Sequence, residues 1–202
     1  MKRKIEIIGS CITWFAVMTQ FVLMILNRQT DIPETIIRFF SFFTILTNTL
    51  VALYFTNKIT KNLSIFNKKG ALTAITSFIL IVGLVYQIIL RATWNPTGLQ
   101  LIVDELLHTL IPFYMLIYWL LYAEPSNFKL KPILPWLAYP IIYIVCIMLR
   151  GEFSGFYPYP FLNVSKIGFQ QSIINISIIL IASLILMSFL IFVGKKLKSI
   201  KL

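Results

Sequence analysis

Apolar residues in this chain occur in long unbroken runs that are separated by short polar segments. Six runs have about 20 residues each, the length that a helix needs to cross the hydrocarbon of a bilayer. They cover residues 5–26, 36–57, 71–91, 104–122, 132–149 and 169–193. The strands of a membrane barrel would instead alternate apolar and polar positions over about 10 residues. The pattern therefore predicts an all-α fold, a bundle of six transmembrane helices that forms one domain over residues 1–202.

Composition supports a membrane environment. Of the 202 residues, 58% are hydrophobic and 12% are charged, whereas soluble domains carry about 25% charged residues. We therefore expect an integral membrane protein that has membrane lipids as partners. The abundance of lysine and isoleucine favours a bacterial plasma membrane.

The basic residues are unevenly distributed among the connecting segments. Thirteen of the 18 lie at the N-terminus, in the 58–70 and 123–131 loops and in the C-terminal tail. With six spans these four segments share one side of the membrane, and the positive-inside rule makes that side cytoplasmic. Both termini are therefore predicted to be cytoplasmic. The net charge of +11 then reflects topology and anionic headgroups, so nucleic acid is not an expected partner.

Chemistry in this chain has to come from polar residues inside the apolar runs. The sequence contains no metal-ligand spacing, phosphate-binding loop or G-x-S-x-G motif, so we expect no metal and no cofactor. Polar side chains within a membrane span are costly, and they face the bundle interior or a wet cavity. Two groups of such residues stand out.

His108, the single histidine of the chain, lies about one turn inside the fourth run. Asp104 is four residues earlier on the same helix face. Pro112 is four residues later and cannot donate a hydrogen bond to the His108 carbonyl, so we expect a disturbed helix there. At this depth we expect a neutral imidazole, which can accept a proton. The structural alternative is a histidine that only hydrogen-bonds a neighbouring helix.

The second group lies in the second run. Arg38, Ser41, Thr44 and Asn48 follow helical spacings of three, three and four, so they form one polar face of the predicted helix. Thr44 is then about 9 to 12 Å from the outer end of its helix, and His108 about 6 Å from the outer end of its own. A hydroxyl and an imidazole at matching depth are the minimum parts of nucleophilic acyl transfer. Thr47 is the alternative hydroxyl.

Further residues could assist this chemistry. Asp104 is a candidate to orient the imidazole, while Asn48, Arg91 and Arg150 are candidates to stabilise an oxyanion. The alternative role for the two arginines is contact with lipid phosphates from the ends of their helices.

Three stretches resemble a known family: RFFSFFTILTN (38–48), LLHTLIPFYMLIYWLLY (106–122) and YPYPFLNVSKIG (157–168). They are similar to the prokaryotic six-transmembrane branch related to the androgen-induced membrane hydrolases. Vertebrate members are intramembrane threonine hydrolases that cleave fatty acid esters of hydroxy fatty acids. The resemblance implies a catalytic threonine at Thr44, a catalytic histidine at His108 and a lipid ester as substrate.

Three functional hypotheses follow from these features. The first is a threonine-dependent hydrolase of lipid esters that works near the outer leaflet. The second is a transporter or binding protein for a lipid or small molecule, in which the same polar cluster holds a ligand without cleaving it. The third is a purely structural role.

The charge asymmetry makes a prediction about topology. Reporter fusions in the 92–103 and 150–166 loops should report an outside location, and fusions in the 58–70 loop and at the C-terminus an inside location. Paired reporters that are active on opposite sides of the membrane make this measurement. A single loop on the wrong side would contradict the depth argument that pairs Thr44 with His108.

Overall fold

The computed structural model describes residues 1–124, 128–131 and 133–199. The regular elements in these ranges are helical, which confirms the all-α prediction. The principal helices are α1 (Lys2–Leu26), α2 (Ile32–Ser41), α3 (Phe43–Thr60), α4 (Ala71–Val85), α5 (Gly98–Glu105), α6 (Ile111–Tyr122), α7 (Ala138–Ser154), the short α8 (Val164–Ile167) and α9 (Phe169–Ser199). Residue 132, the predicted start of the fifth run, lies outside the described residues, as does Lys201 in the tail.

Five helical stretches are long and apolar enough to cross a membrane, and a bent pair of helices supplies a sixth if the pair counts as one span. The five are Lys2–Leu26, Ala71–Thr93, Gly98–Tyr122, Leu134–Ser154 and Phe169–Leu197, and the pair is α2 with α3. Large apolar side chains are exposed along the outside of α9, including Ile178, Ile185 and Phe189. Such a surface suits lipid and not water.

The second predicted span is not one straight helix, and the continuous helix expected over 36–57 is therefore wrong. Phe42 adopts an extended backbone, with φ −83° and ψ 123°, and the axes of α2 and α3 differ by 73°. A helix break leaves the last carbonyls of one helix and the first N–H groups of the next without intrahelical partners. That is costly in an apolar environment.

Two tyrosines from later in the chain satisfy backbone groups on both sides of this break. The Tyr143 hydroxyl donates to the Ser41 carbonyl at 2.9 Å. The Thr44 N–H donates to the Tyr159 hydroxyl at 3.3 Å. The break is thus stabilised by tertiary hydrogen bonds, which explains why the local sequence does not reveal it.

Helix α4 lies in the interior of the bundle. It packs against α3, α6 and α9, and most of its residues are buried. At Gly83 an added Cβ would lie 3.0 Å from the His108 carbonyl oxygen and 3.3 Å from the Pro112 ring. A side chain at this position would therefore push α4 away from the segment that carries His108.

The disturbance expected around His108 and Pro112 takes the form of a wide, π-helical turn. It spans Leu106–Leu110, and the Ile111 N–H bonds back to the Leu106 carbonyl. A second π-helical turn, Tyr86–Leu90, follows α4. Such turns are rare and are often found at functional sites. Here the two turns bring the rings of Tyr86 and His108 into contact, with centroids 4.1 Å apart.

The helix break generates a prediction about stability. Tyr143→Phe removes the donor to the buried Ser41 carbonyl, so the free energy of unfolding should fall by about 1 to 2 kcal/mol. Tyr157→Phe is the matched control, because the Tyr157 hydroxyl makes no hydrogen bond to a described residue, and its effect should stay within about 0.5 kcal/mol. Unfolding in mixed micelles measures both. Equal stability of the two variants would show that the break does not depend on Tyr143.

Candidate functional site

A cavity of about 610 Å³ opens at the end of the bundle where α1 finishes and α3 begins. Its walls come from the end of α1, from α2, from the first turn of α3, from both π-helical turns and from the 156–160 loop. Thr44, Asp104 and His108 all line it. The structure therefore brings together, around one cavity, the two residues expected to carry the chemistry and the residue expected to orient the imidazole.

The ring of His108 is held on one edge and on one face. Its Nδ1 atom lies 2.9 Å from the Asp104 carbonyl oxygen and 3.3 Å from Asp104 Oδ1, and Tyr86 stacks on the ring. Because a carbonyl oxygen only accepts hydrogen bonds, the proton of the neutral ring belongs on Nδ1. The Nε2 atom then carries the lone pair, and it makes no hydrogen bond to a described residue. This is the arrangement that a general base requires.

Asp104 is a buried acid, only 5% exposed. Its Oδ2 atom has no hydrogen-bond partner of ordinary geometry, although the Tyr86 hydroxyl lies near the carboxylate. A buried charge that lacks a partner is costly. In this position the carboxylate can stabilise a positive charge on His108, and it can also attract a polar ligand into the cavity.

Thr44 is the second residue of α3. Its hydroxyl lies 3.4 Å from the Tyr159 hydroxyl, which also accepts a hydrogen bond from the Thr44 N–H. Thr44 and Tyr159 line the large cavity and, in addition, a second cavity of about 60 Å³ whose walls are mainly apolar. The threonine therefore lies where the large cavity, which is also lined by His108 and Asp104, meets a smaller apolar one.

Thr47, the alternative hydroxyl, has different surroundings. It is fully buried, and its hydroxyl lies 2.9 Å from the Tyr139 hydroxyl. It lines neither of these two cavities. The geometry therefore favours Thr44 over Thr47 as the reacting hydroxyl.

Asn48 hydrogen-bonds both of the helical segments that carry Thr44 and His108. Its Nδ2 atom donates to the Thr44 carbonyl at 2.9 Å and to the Leu107 carbonyl at 3.2 Å. Both amide hydrogens are thereby engaged, and Asn48 is absent from the cavity wall. In this structure it ties α3 to the turn that carries His108 and does not face a substrate.

The two candidate arginines are engaged in ion pairs outside the cavity wall. Arg91 pairs with Glu105 at 2.5 Å, and Arg150 pairs with Glu34 at 2.7 Å. Neither lines the large cavity, whereas Arg38 does. Arg38 also pairs with Glu34, at 2.8 Å.

Two tyrosines, Tyr159 and Tyr86, belong to the site but were not among the residues predicted from the sequence. Tyr159 contacts Thr44, and the signal for it was available, because it lies within the distinctive YPYPFL stretch (157–162). Tyr86 stacks on His108, and nothing in its local sequence marks it. Within the part of the chain that the structure describes, no group of three or more His, Cys, Asp or Glu side chains could hold a metal ion.

Comparison with known protein families, with curated proteins and with solved structures finds no match in any of the three. What the site can do therefore rests on its own geometry. That geometry consists of a threonine hydroxyl at a helix N-terminus, a histidine with an unoccupied Nε2 atom and a buried carboxylate beside it, all on one cavity.

Proposed function

We propose that the chain is an intramembrane hydrolase of lipid esters, with Thr44 as the nucleophile and His108 as the general base. One observation carries the proposal: Thr44 and His108 line the same cavity. The hydrogen bond from His108 Nδ1 to the Asp104 carbonyl oxygen leaves Nε2 as the basic atom of the pair. The resemblance of three stretches to a family of threonine hydrolases supports the same two residues.

The mechanism follows the usual course of acyl transfer. His108 Nε2 takes the proton of the Thr44 hydroxyl as its oxygen attacks the ester carbonyl. The resulting imidazolium gives that proton to the departing alcohol, and the acyl group remains on Thr44. A water molecule, deprotonated by His108, then attacks the acyl carbonyl. The bond between the acyl group and the Thr44 oxygen breaks, the imidazolium returns the proton to that oxygen, and the fatty acid is released. The Asp104 carboxylate stabilises the imidazolium in both steps, because Oδ1 lies 3.3 Å from Nδ1.

The start of α3 favours the negative charge that develops beside Thr44. The first-turn N–H groups of a helix lack intrahelical partners, and the helix dipole is positive there. An oxyanion that forms next to Thr44 would lie at this positive end. The Thr44 N–H itself is bonded to the Tyr159 hydroxyl, so the proposed contribution is that of the helix dipole. The donor groups of Asn48, Arg91 and Arg150 also bind other partners.

A fatty acyl ester suits the surroundings of Thr44. The first carbons of an acyl chain fit the smaller cavity, whose volume of about 60 Å³ is less than that of a whole fatty acyl chain. The rest of the ester would occupy the larger cavity, with the scissile bond at Thr44 between the two. The positive-inside topology would put this site in the outer half of a bacterial plasma membrane.

A second candidate function is binding or transport of a lipid or small molecule without bond cleavage. The broken span favours it, because transporters form their sites at discontinuous membrane helices. The unpartnered Oδ2 atom of Asp104 would then contact the cargo. This function needs the cavity but does not need an activated hydroxyl.

The nucleophile can be tested by covalent labelling with a fluorophosphonate probe. Thr44→Ala should abolish labelling and ester hydrolysis, and Thr44→Ser should retain part of both, because serine keeps the hydroxyl. Thr47→Ala is the matched control: it removes a buried threonine hydroxyl bonded to Tyr139 and should leave labelling intact.

Each outcome of this labelling experiment has a clear meaning. Normal labelling of Thr44→Ala together with loss in Thr47→Ala would assign the nucleophile to Thr47. Normal turnover in both variants would exclude a threonine mechanism. Absence of labelling in the folded wild-type protein would favour the binding function.

The role of His108 can be separated from a structural one by chemical rescue. His108→Ala should lower hydrolysis by at least about 100-fold, and added imidazole should restore part of the activity by entering the space that the side chain left. His108→Gln keeps a hydrogen-bonding side chain but cannot carry the proton, so it should remain inactive. Full activity of His108→Gln would show that the histidine acts only through its hydrogen bonds.

A further inference from the structure

Another cavity lies at the opposite end of the bundle, where α1 begins and α3 ends. We call it the basic pocket. It has a volume of about 550 Å³. Its walls are formed by Lys2, Arg3, Glu6, Asn57, Lys58, Lys61 and Asn67. It is separate from the site around Thr44, because α1 alone has 25 residues and spans roughly 37 Å at 1.5 Å per residue.

The walls of this basic pocket carry a marked excess of positive charge. Four side chains are cationic and one is acidic. None of the four cations forms an ion pair with an acid in the described ranges, whereas Arg38, Arg91 and Arg150 at the other end are each paired with a glutamate. Positive charge at this end is therefore only partly offset, by the attraction of Lys58 to Glu6 and Glu124.

Glu6 offsets only one of the four positive charges, and it attracts Lys58 without forming an ion pair with it. The residue is buried, and its Oε1 atom accepts a hydrogen bond of 2.6 Å from the Tyr118 hydroxyl. Tyr118 lies in the core of the bundle. The carboxylate is thus held on the inner wall of the basic pocket, beneath the four cations.

Two of the four cations lie at an unfavourable helix end, whereas Lys58 and Lys61 lie at the C-terminal end of α3, where the helix dipole favours cations. The first turn of α1 contains no acidic residue, so Lys2 and Arg3 lie at the positive end of a helix dipole, where cations are unfavourable. Lys58 is near enough to Lys2 for their charges to repel. An anion between these side chains would remove both penalties.

The wall opposite α1 is held in a fixed shape. Asn57 is 1% exposed, its Oδ1 atom accepts from the Leu63 N–H at 2.6 Å, and its Nδ2 atom donates to Asn67 Oδ1 at 3.4 Å. Lys61 ends α3 with φ +61° and is the one non-glycine residue in the described ranges with a positive φ. A left-handed residue is a common way for a helix to end, and here the Lys61 N–H donates to the Asn57 carbonyl.

We propose that the basic pocket binds a phosphate group. Ammonium and guanidinium groups are the usual protein ligands of phosphate oxygens, and the pocket offers three of the former and one of the latter. Its volume exceeds that of a phosphate alone, so it also admits the group to which the phosphate is attached. That group is the glycerol of an anionic lipid or the body of a phosphate-bearing solute, and the same contacts serve either source.

Two binding measurements on the full-length protein distinguish these sources. The first is equilibrium dialysis of radiolabelled inorganic phosphate against protein in a neutral detergent. The second is titration of fluorescent phosphatidic acid into protein held in phosphatidylcholine nanodiscs. We expect saturable binding in at least one of them. Phosphate binding in detergent would identify a soluble ligand, and binding of phosphatidic acid alone would identify a lipid headgroup.

A matched pair of double variants tests the location of the site. Arg3→Gln with Lys61→Gln removes two exposed charges from the pocket, and affinity should fall by about tenfold or more. Lys68→Gln with Lys69→Gln removes two exposed charges from the neighbouring loop, outside the pocket, and should change affinity by less than about twofold. The thermal midpoint of both variants verifies that they are folded.

The proposal is overturned by either of two results. One is the absence of saturable binding in both measurements. The other is an equal loss of affinity in the two double variants, which would mean that the ligand responds to the general positive charge of this end and not to the pocket. Neither result bears on hydrolysis at Thr44, which is measured separately.

Discussion

The break between α2 and α3 is the constraint on which the candidate site depends. A span interrupted at Phe42 is tolerated only if the freed backbone groups find partners, and Tyr143 and Tyr159 supply two of them. The same Tyr159 hydroxyl lies beside the Thr44 hydroxyl. The contact that stabilises the break therefore also holds Thr44 at the start of a helix, facing the cavity. An unbroken helix would place this threonine in an ordinary interior position and not at a helix N-terminus.

The apolar runs predicted the architecture well but could not predict this break. Run length and composition are local properties, so helices in all six regions follow from them. The stretch RFFSFFT (38–44) contains neither proline nor glycine, the residues that usually mark a kink. The determinants lie about 100 residues further along the chain. The predicted polar face required one continuous helix through Arg38, Ser41, Thr44 and Asn48. Of these four residues, only Arg38 and Thr44 line the large cavity.

The candidate site, like the fold, has some features that the sequence predicts and others that it does not. The pairing of His108 with Asp104 follows from their spacing of four residues in a helix, and the structure has it. The partners of Arg91 and Arg150 do not follow from spacing, because each ion pair joins different helices or turns. Tyr86 meets His108 only because two π-helical turns lie side by side. Helical periodicity assumes 3.6 residues per turn, so it does not predict which side chains lie together in wider turns.

Two polar groups of the large cavity are left without hydrogen-bond partners among the described residues, which costs stability. A histidine with a purely structural role would be expected to satisfy both ring nitrogens, and a buried carboxylate both oxygens. Among the described residues, neither His108 Nε2 nor Asp104 Oδ2 has a hydrogen-bond partner of ordinary geometry, and both residues line the cavity. A cargo site could explain the free carboxylate oxygen. It would not require that Nδ1 be fixed by the Asp104 carbonyl, which leaves Nε2 as the basic atom, with a threonine hydroxyl on the same cavity. The combination therefore favours proton transfer over binding alone.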